Sequence, residues 1–182
     1  MTNVKPYTDA QLLERVKKIH GFKYIPVNYW LIFVRSNEDA FNLFDDKVYL
    51  FKDDKCIMVT SCTTNKGASG SAVIKSDQWL YEGFINGLHK NKMECLRQNK
   101  SFEYYRDYNG DKKTDETGSI VKGNFQTQFH GSTYNKGSKK ILLTIGEWSR
   151  GCIVCNVNED YEKIISLTRE QKIVTGCLIK EF

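Results

Sequence analysis

Apolar residues follow helical spacing in two segments of the chain. In residues 8–20 they recur every three or four positions, and Thr8 with Gln11 forms the signature of a capping box. Gly21 is a natural stop for this helix. Residues 158–168 repeat the helical pattern and carry acidic residues in the first turn, where they complement the helix dipole. The pattern therefore predicts an N-terminal helix and a second helix near the C-terminus.

Most of the remaining apolar residues fall in short β-rich runs that are separated by polar turns. These runs predict strands over residues 28–35, 46–54, 55–62, 101–108, 123–131, 141–146, 151–157 and 172–180. Residues 76–101 have mixed periodicity, and we interpret residues 90–98 as a short helix. The expected fold is mostly β, and α+β overall, with an N-terminal helix and one or two peripheral helices.

Residues 123–131 alternate between apolar and polar positions, which is the period of a half-buried strand. The alternation assigns Phe125, Thr127 and Phe129 to one face. The opposite face carries Asn124, Gln126, Gln128 and His130. Such a polar face must contact water or other polar groups, so it is either the floor of a cleft or an ordinary solvent-facing surface.

Length and composition favour one folded domain over residues 1–182. The chain is 40% hydrophobic and 13% aromatic, which supplies enough apolar surface for a sizeable core. The net charge of +5 is spread along the chain, which argues against a nucleic-acid-binding protein. No run reaches the roughly 18 apolar residues of a membrane span, and the N-terminus has no signal-peptide core. We therefore expect synthesis in the cytoplasm and no membrane insertion.

The six cysteines are expected to be free thiols, because a chain of this size without a signal peptide rarely depends on disulfides. Cys152 and Cys155 form a C-x-x-C pair inside an apolar, β-branched run. Residues three apart in a strand point to opposite faces. A redox or zinc role for this pair is therefore disfavoured.

Residues 107–118 form a polar loop whose oxygen-bearing side chains have a spacing that can surround calcium. These candidates are Asp107, Asn109, Asp111 and Asp115. In a calcium loop of the EF-hand type, however, glycine occupies the sixth position and glutamate the twelfth. Here glycine occupies the fourth position and Gly118 the twelfth, so a solvated turn is the favoured interpretation.

His130 and Cys152 are the strongest candidates for chemistry. A neighbouring imidazole and positive charge raise the thiolate fraction of a cysteine, and Arg150 supplies local charge. Gly151 permits an unusual φ or a close approach by a substrate. Backbone N–H groups at a glycine turn can also stabilise an oxyanion. These are the parts of a Cys–His acyl-transfer site, provided that the ring and the sulfur lie within proton-transfer distance and share one groove.

The pair His130-Gly131, followed by Ser149-x-Gly151-Cys152-Ile153, resembles the catalytic domain of the L,D-transpeptidases. The resemblance covers roughly residues 28–70 and 120–168. It implies a β-sandwich or barrel, and leaves residues 1–27 as a helical appendage and 72–118 as an atypical insertion.

The resemblance implies that Cys152 forms a thioester with a peptidoglycan stem peptide, while His130 acts as general base. Amine attack would then give L,D-transpeptidation, and water attack would give carboxypeptidase or endopeptidase activity, in both cases without a cofactor. A backbone carbonyl near Gly131 or Ser132 would orient the ring, and the N–H groups of Gly151 and Cys152 would hold the oxyanion. The resemblance places Ser149 in the catalytic turn. It also implies a set of substrate-binding residues, namely Gly131, Ser132, Tyr134, Trp148 and Arg150.

Two positions depart from the family pattern. Arg150 stands where many members have histidine, and Val154 stands where many have arginine. The implied site of action is the cell wall, reached by an unknown delivery route from a phage or a bacterium. The alternative is a non-catalytic binding or virion structural protein that keeps the fold and uses residues 72–118 as its interface.

Overall fold

The computed structural model describes residues 4–38, 40–68, 72–106 and 116–182. Within these ranges the chain is mostly β, with two α-helices, as the hydrophobic pattern predicts. The elements are α1 (Asp9–Lys17), β1 (Tyr29–Arg35), β2 (Asp46–Lys52), β3 (Lys55–Thr63), β4 (Ala72–Ile74), β5 (Gln78–His89), β6 (Met93–Gln98), β7 (Phe102–Arg106), β8 (Ile120–Gly123), β9 (Gln128–Gly131), a 3₁₀ helix (Gly146–Trp148), β10 (Ile153–Cys155), α2 (Asn158–Thr168) and β11 (Ile173–Lys180). No α-helix in these ranges is long and apolar enough to cross a membrane.

Eight of the strands close into a barrel in the order β1-β11-β5-β6-β9-β10-β3-β2. The pairs β1/β11 and β9/β10 are parallel, and the other pairs are antiparallel. A separate three-stranded sheet has the order β4-β7-β8. Two barrel strands, β5 and β6, come from residues 72–118, the segment that the family resemblance leaves unmatched.

Helix α2 packs against the apolar residues inside the barrel. Its residues Tyr161, Ile164 and Ile165 belong to the same buried cluster as Phe33 on β1 and Phe129 on β9. The helical spacing of these apolar positions is the pattern from which the helix was predicted. Burial of this face therefore ties α2 to the strands that carry the candidate site.

Helix α1 covers part of the outer surface of the barrel. Thr8 caps it, and a capping box with Gln11 is present, as predicted. Leu12 and Val16 are fully buried in an apolar cluster that also contains Trp30 of β1. The outward side chains of β1 are therefore as buried as its inward ones, which explains why that strand is apolar along nearly its whole length.

The predicted helix over residues 90–98 is wrong, because this segment is the turn and second strand of the β5–β6 hairpin. Lys90 and Asn91 both have positive φ, at +48° and +56°, and the Lys92 N–H donates to the His89 carbonyl at 3.0 Å. Positive φ at both central residues of the four-residue turn 89–92 is the mark of a type I′ turn, whose twist matches the flanking strands.

Several predicted strands are shorter or absent, and of residues 151–157 only β10 is a strand. Over residues 123–131 the chain leaves β8 at Gly123, and Gln126 has a φ of +60°, so only β9 continues as strand. Residues 141–146 make isolated bridges rather than a strand. They cover the outer face of β10, where Ile145 is fully buried against Val154. The candidate calcium ligands at 107–115 lie outside the described residues.

Candidate active site

Strands β9 and β10 bring His130 and Cys152 to the same face of the barrel. Phe129 pairs with Ile153, and both point into the barrel interior. His130 pairs with Val154 and therefore points outward. Cys152, directly before β10, lies two positions from Val154 and so on the same face.

The His130 ring is buried and its tautomer is determined by one hydrogen bond. Nδ1 lies 2.7 Å from the Gly131 carbonyl oxygen, which can only accept, so Nδ1 carries the proton. This contact confirms the prediction that a carbonyl near Gly131 or Ser132 orients the ring. Nε2 is then an unprotonated acceptor, and it is buried without a hydrogen-bond partner. Such an orphaned atom costs free energy and is uncommon in folded proteins.

Burial lowers the pKa of His130 to about 3. The nearby charge of His89 lowers this pKa further, whereas the backbone of Gly131 and Trp148 opposes the shift. The ring is therefore neutral throughout the physiological pH range. It is available to accept a proton, but it does so only if a negative charge develops beside it.

Aromatic rings enclose His130. His89 stacks on it, with the ring centroids 4.1 Å apart and an angle of 24° between the planes. Trp148 lies 6.3 Å from the His130 ring, and Tyr134 contacts both Trp148, at 5.0 Å, and His89, at 6.1 Å. We call His89, Tyr134 and Trp148 the aromatic enclosure. It excludes water from the face of the imidazole.

Gln128 links the two strands that flank the histidine. Its Oε1 lies 2.6 Å from His89 Nδ1 and 3.8 Å from Cys95 Sγ. Its backbone also faces Cys152 and favours the thiolate there. Gln128 lies on the face that the alternation of residues 123–131 predicts. His89 has no such local signal, because it reaches the site only through the β5–β6 hairpin.

Cys152 is partly exposed and lines a groove of about 280 Å³ together with Thr127, Tyr104 and Gly151. Burial raises the pKa of this thiol, although the Gln128 backbone and the charge of Lys90 oppose the shift. Cys152 is therefore a thiol at neutral pH in the resting protein.

We predicted that His130 and Cys152 open onto one groove. Cys152 lines a groove, but His130 does not. The His130 side chain has 0% exposure, and in the described part of the chain no hydrogen bond joins its ring to Cys152, since Nε2 has no partner. Proton transfer between them therefore requires a rearrangement that brings Sγ within hydrogen-bond distance of Nε2.

The turn at residues 149–152 is held by Ser149. Its hydroxyl lies 2.9 Å from the Asn65 carbonyl oxygen and 2.7 Å from the Cys152 carbonyl oxygen, and it accepts the Gly151 N–H at 3.2 Å. Ser149 is fully buried, so it positions the turn and does not contact a substrate. The Gly151 N–H, expected to bind an oxyanion, is engaged by this hydroxyl in the resting structure.

Gly151 has a conformation and a neighbour that favour glycine. Its φ is +124°, and a Cβ placed there would lie 2.7 Å from the Ala72 carbonyl oxygen. Glycine is therefore needed at this position for a structural reason, because β4 packs directly against the turn that precedes Cys152.

The other predicted site residues lie close to the same strands. Gly131 admits Tyr161 of α2, whose ring would come within 2.8 Å of an added Cβ. Ser132 is buried, and its hydroxyl lies 3.4 Å from the Asn156 carbonyl oxygen. Arg150 is exposed, pairs with Glu147 at 2.9 Å, and lines the groove beside Cys152.

Cys155 points into the barrel interior, whereas Cys152 packs on the outer face. All six cysteines are free, and the C-x-x-C residues are on opposite faces, as predicted. No group of three or more metal-ligating side chains is present among the described residues.

No family model, no curated protein and no solved structure matches this chain. The likeness to L,D-transpeptidases therefore depends on the motif residues around His130 and Cys152.

The buried, neutral His130 predicts a loss of stability in mild acid. The unfolded chain takes up a proton near pH 6.5, whereas the folded ring stays neutral down to about pH 3. The free energy of unfolding should therefore decrease by about 1.5 kcal/mol from pH 6.5 to 5, with a smaller contribution of the same sign from His89, whose pKa burial also lowers. Urea denaturation at several pH values measures this slope.

The control for this measurement is the exposed His20. His130→Gln should flatten the slope between pH 6.5 and 5, and His20→Gln should leave it unchanged. This interval lies above the range in which carboxylates ordinarily titrate. Equal slopes in the wild type and in His130→Gln would show that the ring takes up a proton in the folded protein.

Proposed function

We propose that this protein is a cysteine-dependent acyl-transfer enzyme of the L,D-transpeptidase type that acts on peptidoglycan stem peptides. The observation that carries the proposal is the unprotonated, unpartnered Nε2 of the buried His130, on the same face as the groove-lining thiol of Cys152. A buried acceptor without a partner is costly, and we infer that the thiol proton of Cys152 is the partner this nitrogen takes during the reaction.

The pKa values dictate when the proton moves. The thiol pKa is raised and the imidazole pKa is about 3, so a resting thiolate–imidazolium pair is strongly disfavoured. The proton therefore passes from Sγ to Nε2 as the sulfur–carbon bond forms and negative charge develops on the carbonyl oxygen. The protonated ring then returns the proton to the leaving amine when the carbon–nitrogen bond breaks.

The thioester on Cys152 is resolved by a second nucleophile. An amine from another stem peptide gives a cross-link, and water gives a shortened peptide. For either outcome the Gly151 N–H must turn from Ser149 to the oxyanion, since Ser149 holds it in the resting structure. The proposal therefore requires a movement of the 149–152 turn that releases this N–H and brings Sγ to Nε2.

The groove beside Cys152 has features suited to a peptide that ends in a carboxylate. Tyr104 and Phe125 provide apolar surface, and Arg106 and Arg150 provide positive charge. The Arg106 guanidinium lies over the Phe125 ring, 5.3 Å from its centroid. In this arrangement, a peptide whose acyl group is bound to Cys152 places its terminal carboxylate near the guanidinium groups.

The deciding experiment is incubation of the protein with purified disaccharide-tetrapeptide muropeptides, followed by mass spectrometry. Loss of the terminal D-alanine indicates carboxypeptidase activity, and a cross-linked dimer indicates transpeptidation. A transient adduct on the peptide that contains Cys152 would identify the acyl-enzyme. Absence of all three products at high protein concentration would refute the proposal.

A second candidate is a non-catalytic binding or virion structural protein with the same fold. The resting site favours it in one respect, because the thiol pKa is raised and the sulfur has no hydrogen bond to the histidine. This candidate predicts that muropeptides bind without any change in mass. The same mass spectra, together with a binding measurement, separate the two functions.

A further inference from the structure

A second and larger cavity lies beside the aromatic enclosure, on the other side of Tyr134. Its volume is about 600 Å³, within the range of about 300–1,000 Å³ that is usual for ligand sites. Its walls are the start of β6, the segment that follows β9, and the exposed face of α2. We call it the basic groove, after Lys92, Lys136, Lys163 and Arg169 in its lining.

Both carboxylates of the basic groove are already engaged. Glu94 pairs with Arg169 at 2.6 Å. Glu162 accepts hydrogen bonds from the Gly137 N–H, at 2.7 Å, and from Asn158 Nδ2, at 2.8 Å. Arg169 offsets the charge of Glu94, and Glu162 keeps its negative charge, so the four cations of the groove still outnumber its two carboxylates.

The three lysines form no ion pair with any residue that the structure describes. Lys92 lies over the Tyr134 ring, 5.5 Å from its centroid. Lys136 and Lys163 are exposed on the loop after β9 and on α2, respectively. Three cations from three walls thus face one cavity, which favours an anionic ligand.

The floor of the basic groove is partly apolar. Met93 and Ile165 line it, and Tyr134 is 37% exposed. With two carboxylates in its walls, the groove has only a small net positive charge, which suits a ligand with a few separated carboxylates better than a densely charged phosphate polymer. The lysines of the groove are separated from one another and lie beside aliphatic side chains. An acidic peptide, which carries both carboxylates and aliphatic side chains, is complementary to such a surface.

We propose that the basic groove binds an acidic peptide, with its carboxylates on Lys92, Lys136 and Lys163 and its aliphatic groups against Met93 and Ile165. The groove adjoins the candidate active site, because Tyr134 also contacts Trp148 at 5.0 Å. The inference deepens the proposed function and rests on it for the identity of the peptide as a stem peptide. Binding itself does not require the thiol.

The test uses the Cys152→Ala protein, in which no acyl transfer can occur, and a fluorescein-labelled peptide of alternating alanine and glutamate. Fluorescence anisotropy at about 50 mM salt should show saturable binding that weakens at about 300 mM. Lys136→Glu with Lys163→Glu should weaken it roughly tenfold, since each reversal replaces an attraction by a repulsion. The control pair Lys17→Glu with Lys122→Glu has the same net charge, and both of its lysines are exposed outside the groove.

Three results would overturn this proposal. They are absence of binding by the Cys152→Ala protein, equal losses in the two charge-reversed pairs, and tighter binding of a single-stranded oligonucleotide of the same charge. Muropeptide turnover without peptide binding would refute peptide binding at the groove but not acyl transfer by Cys152. Peptide binding at the groove without turnover would refute acyl transfer but not peptide binding.

Discussion

Replacing Cys152 with alanine is expected to abolish the release of D-alanine from disaccharide-tetrapeptide muropeptides, with kcat/KM lower by at least about 10³-fold. The thioester needs this sulfur, and the nearby Cys95 is no substitute. Cys95 has 1% exposure, and burial raises its pKa to about 12. Initial rates of product formation, measured by mass spectrometry, give the ratio directly.

Cys56→Ala is the matched control for this substitution. Cys56 is the other partly exposed thiol, and it lies on β3 against the cluster beneath α1. Its removal should leave kcat/KM unchanged. Full activity of Cys152→Ala, or equal losses in the two variants, would show that this sulfur is not the nucleophile.

His130→Gln should reduce kcat/KM by a similar factor, because an amide keeps hydrogen-bonding groups but cannot take up the thiol proton. The pH profile adds a sharper test. Since the His130 pKa is about 3 and the Cys152 pKa is raised, both groups keep one protonation state from pH 5 to 8. The wild-type kcat/KM should therefore be nearly flat over this interval. A tenfold rise per pH unit would instead indicate attack by a pre-formed thiolate.

The fold was predictable where local pattern and burial agree. Helices α1 and α2 were predicted because their apolar residues recur at helical spacing and their first turns carry a capping box or acidic residues. The apolar runs of β1, β2, β3 and β11 were equally informative. The β5–β6 hairpin was missed because its turn uses Lys90 and Asn91 at positive φ, and lysine gives no local signal of that conformation.

The candidate site was predictable only in part, for a similar reason. His130, Gly151 and Cys152 stand in short motifs, so their residue types and spacing were enough to select them. The stacking of His89 on His130 depends on pairing of β5 with β6 and of β6 with β9. Residues 89 and 130 are distant in sequence, and only closure of the barrel brings them together. The complete burial of His130 has the same non-local origin.

The largest effect on stability is expected at Arg35, which is fully buried at the end of the barrel where β1 and β11 finish. Its guanidinium pairs with Glu116, and it donates to the Thr64 hydroxyl at 2.8 Å and to the Thr64 carbonyl at 3.1 Å. The same hydroxyl donates to the buried Asp46 at 2.7 Å. One cation therefore connects two acidic side chains in an environment with little solvent.

Burial alone raises the pKa of Glu116, but the charge of Arg35 and the contacts of Lys180 and Ser76 outweigh it and lower this pKa. Glu116 thus remains a carboxylate at neutral pH and depends on these partners. Arg35→Met keeps most of the apolar volume of the arginine but leaves Glu116 and Asp46 without their shared cation. Breaking a buried pair in this way typically costs about 3–5 kcal/mol, and urea denaturation at pH 7 would measure the change.

A double variant distinguishes the contribution of the Arg35 charge to stability from the contribution of its packing. Arg35→Met with Glu116→Gln also removes the carboxylate that then keeps only Lys180 as a cationic partner, so part of the lost free energy of unfolding should return relative to Arg35→Met alone. Arg150→Met provides the reference for an exposed pair, because Arg150 and Glu147 are both largely in solvent, and it should change stability little. If the double variant is no more stable than Arg35→Met, the arginine contributes through its packing and its bonds to Thr64, and the pairing with Glu116 adds nothing to the stability of the barrel.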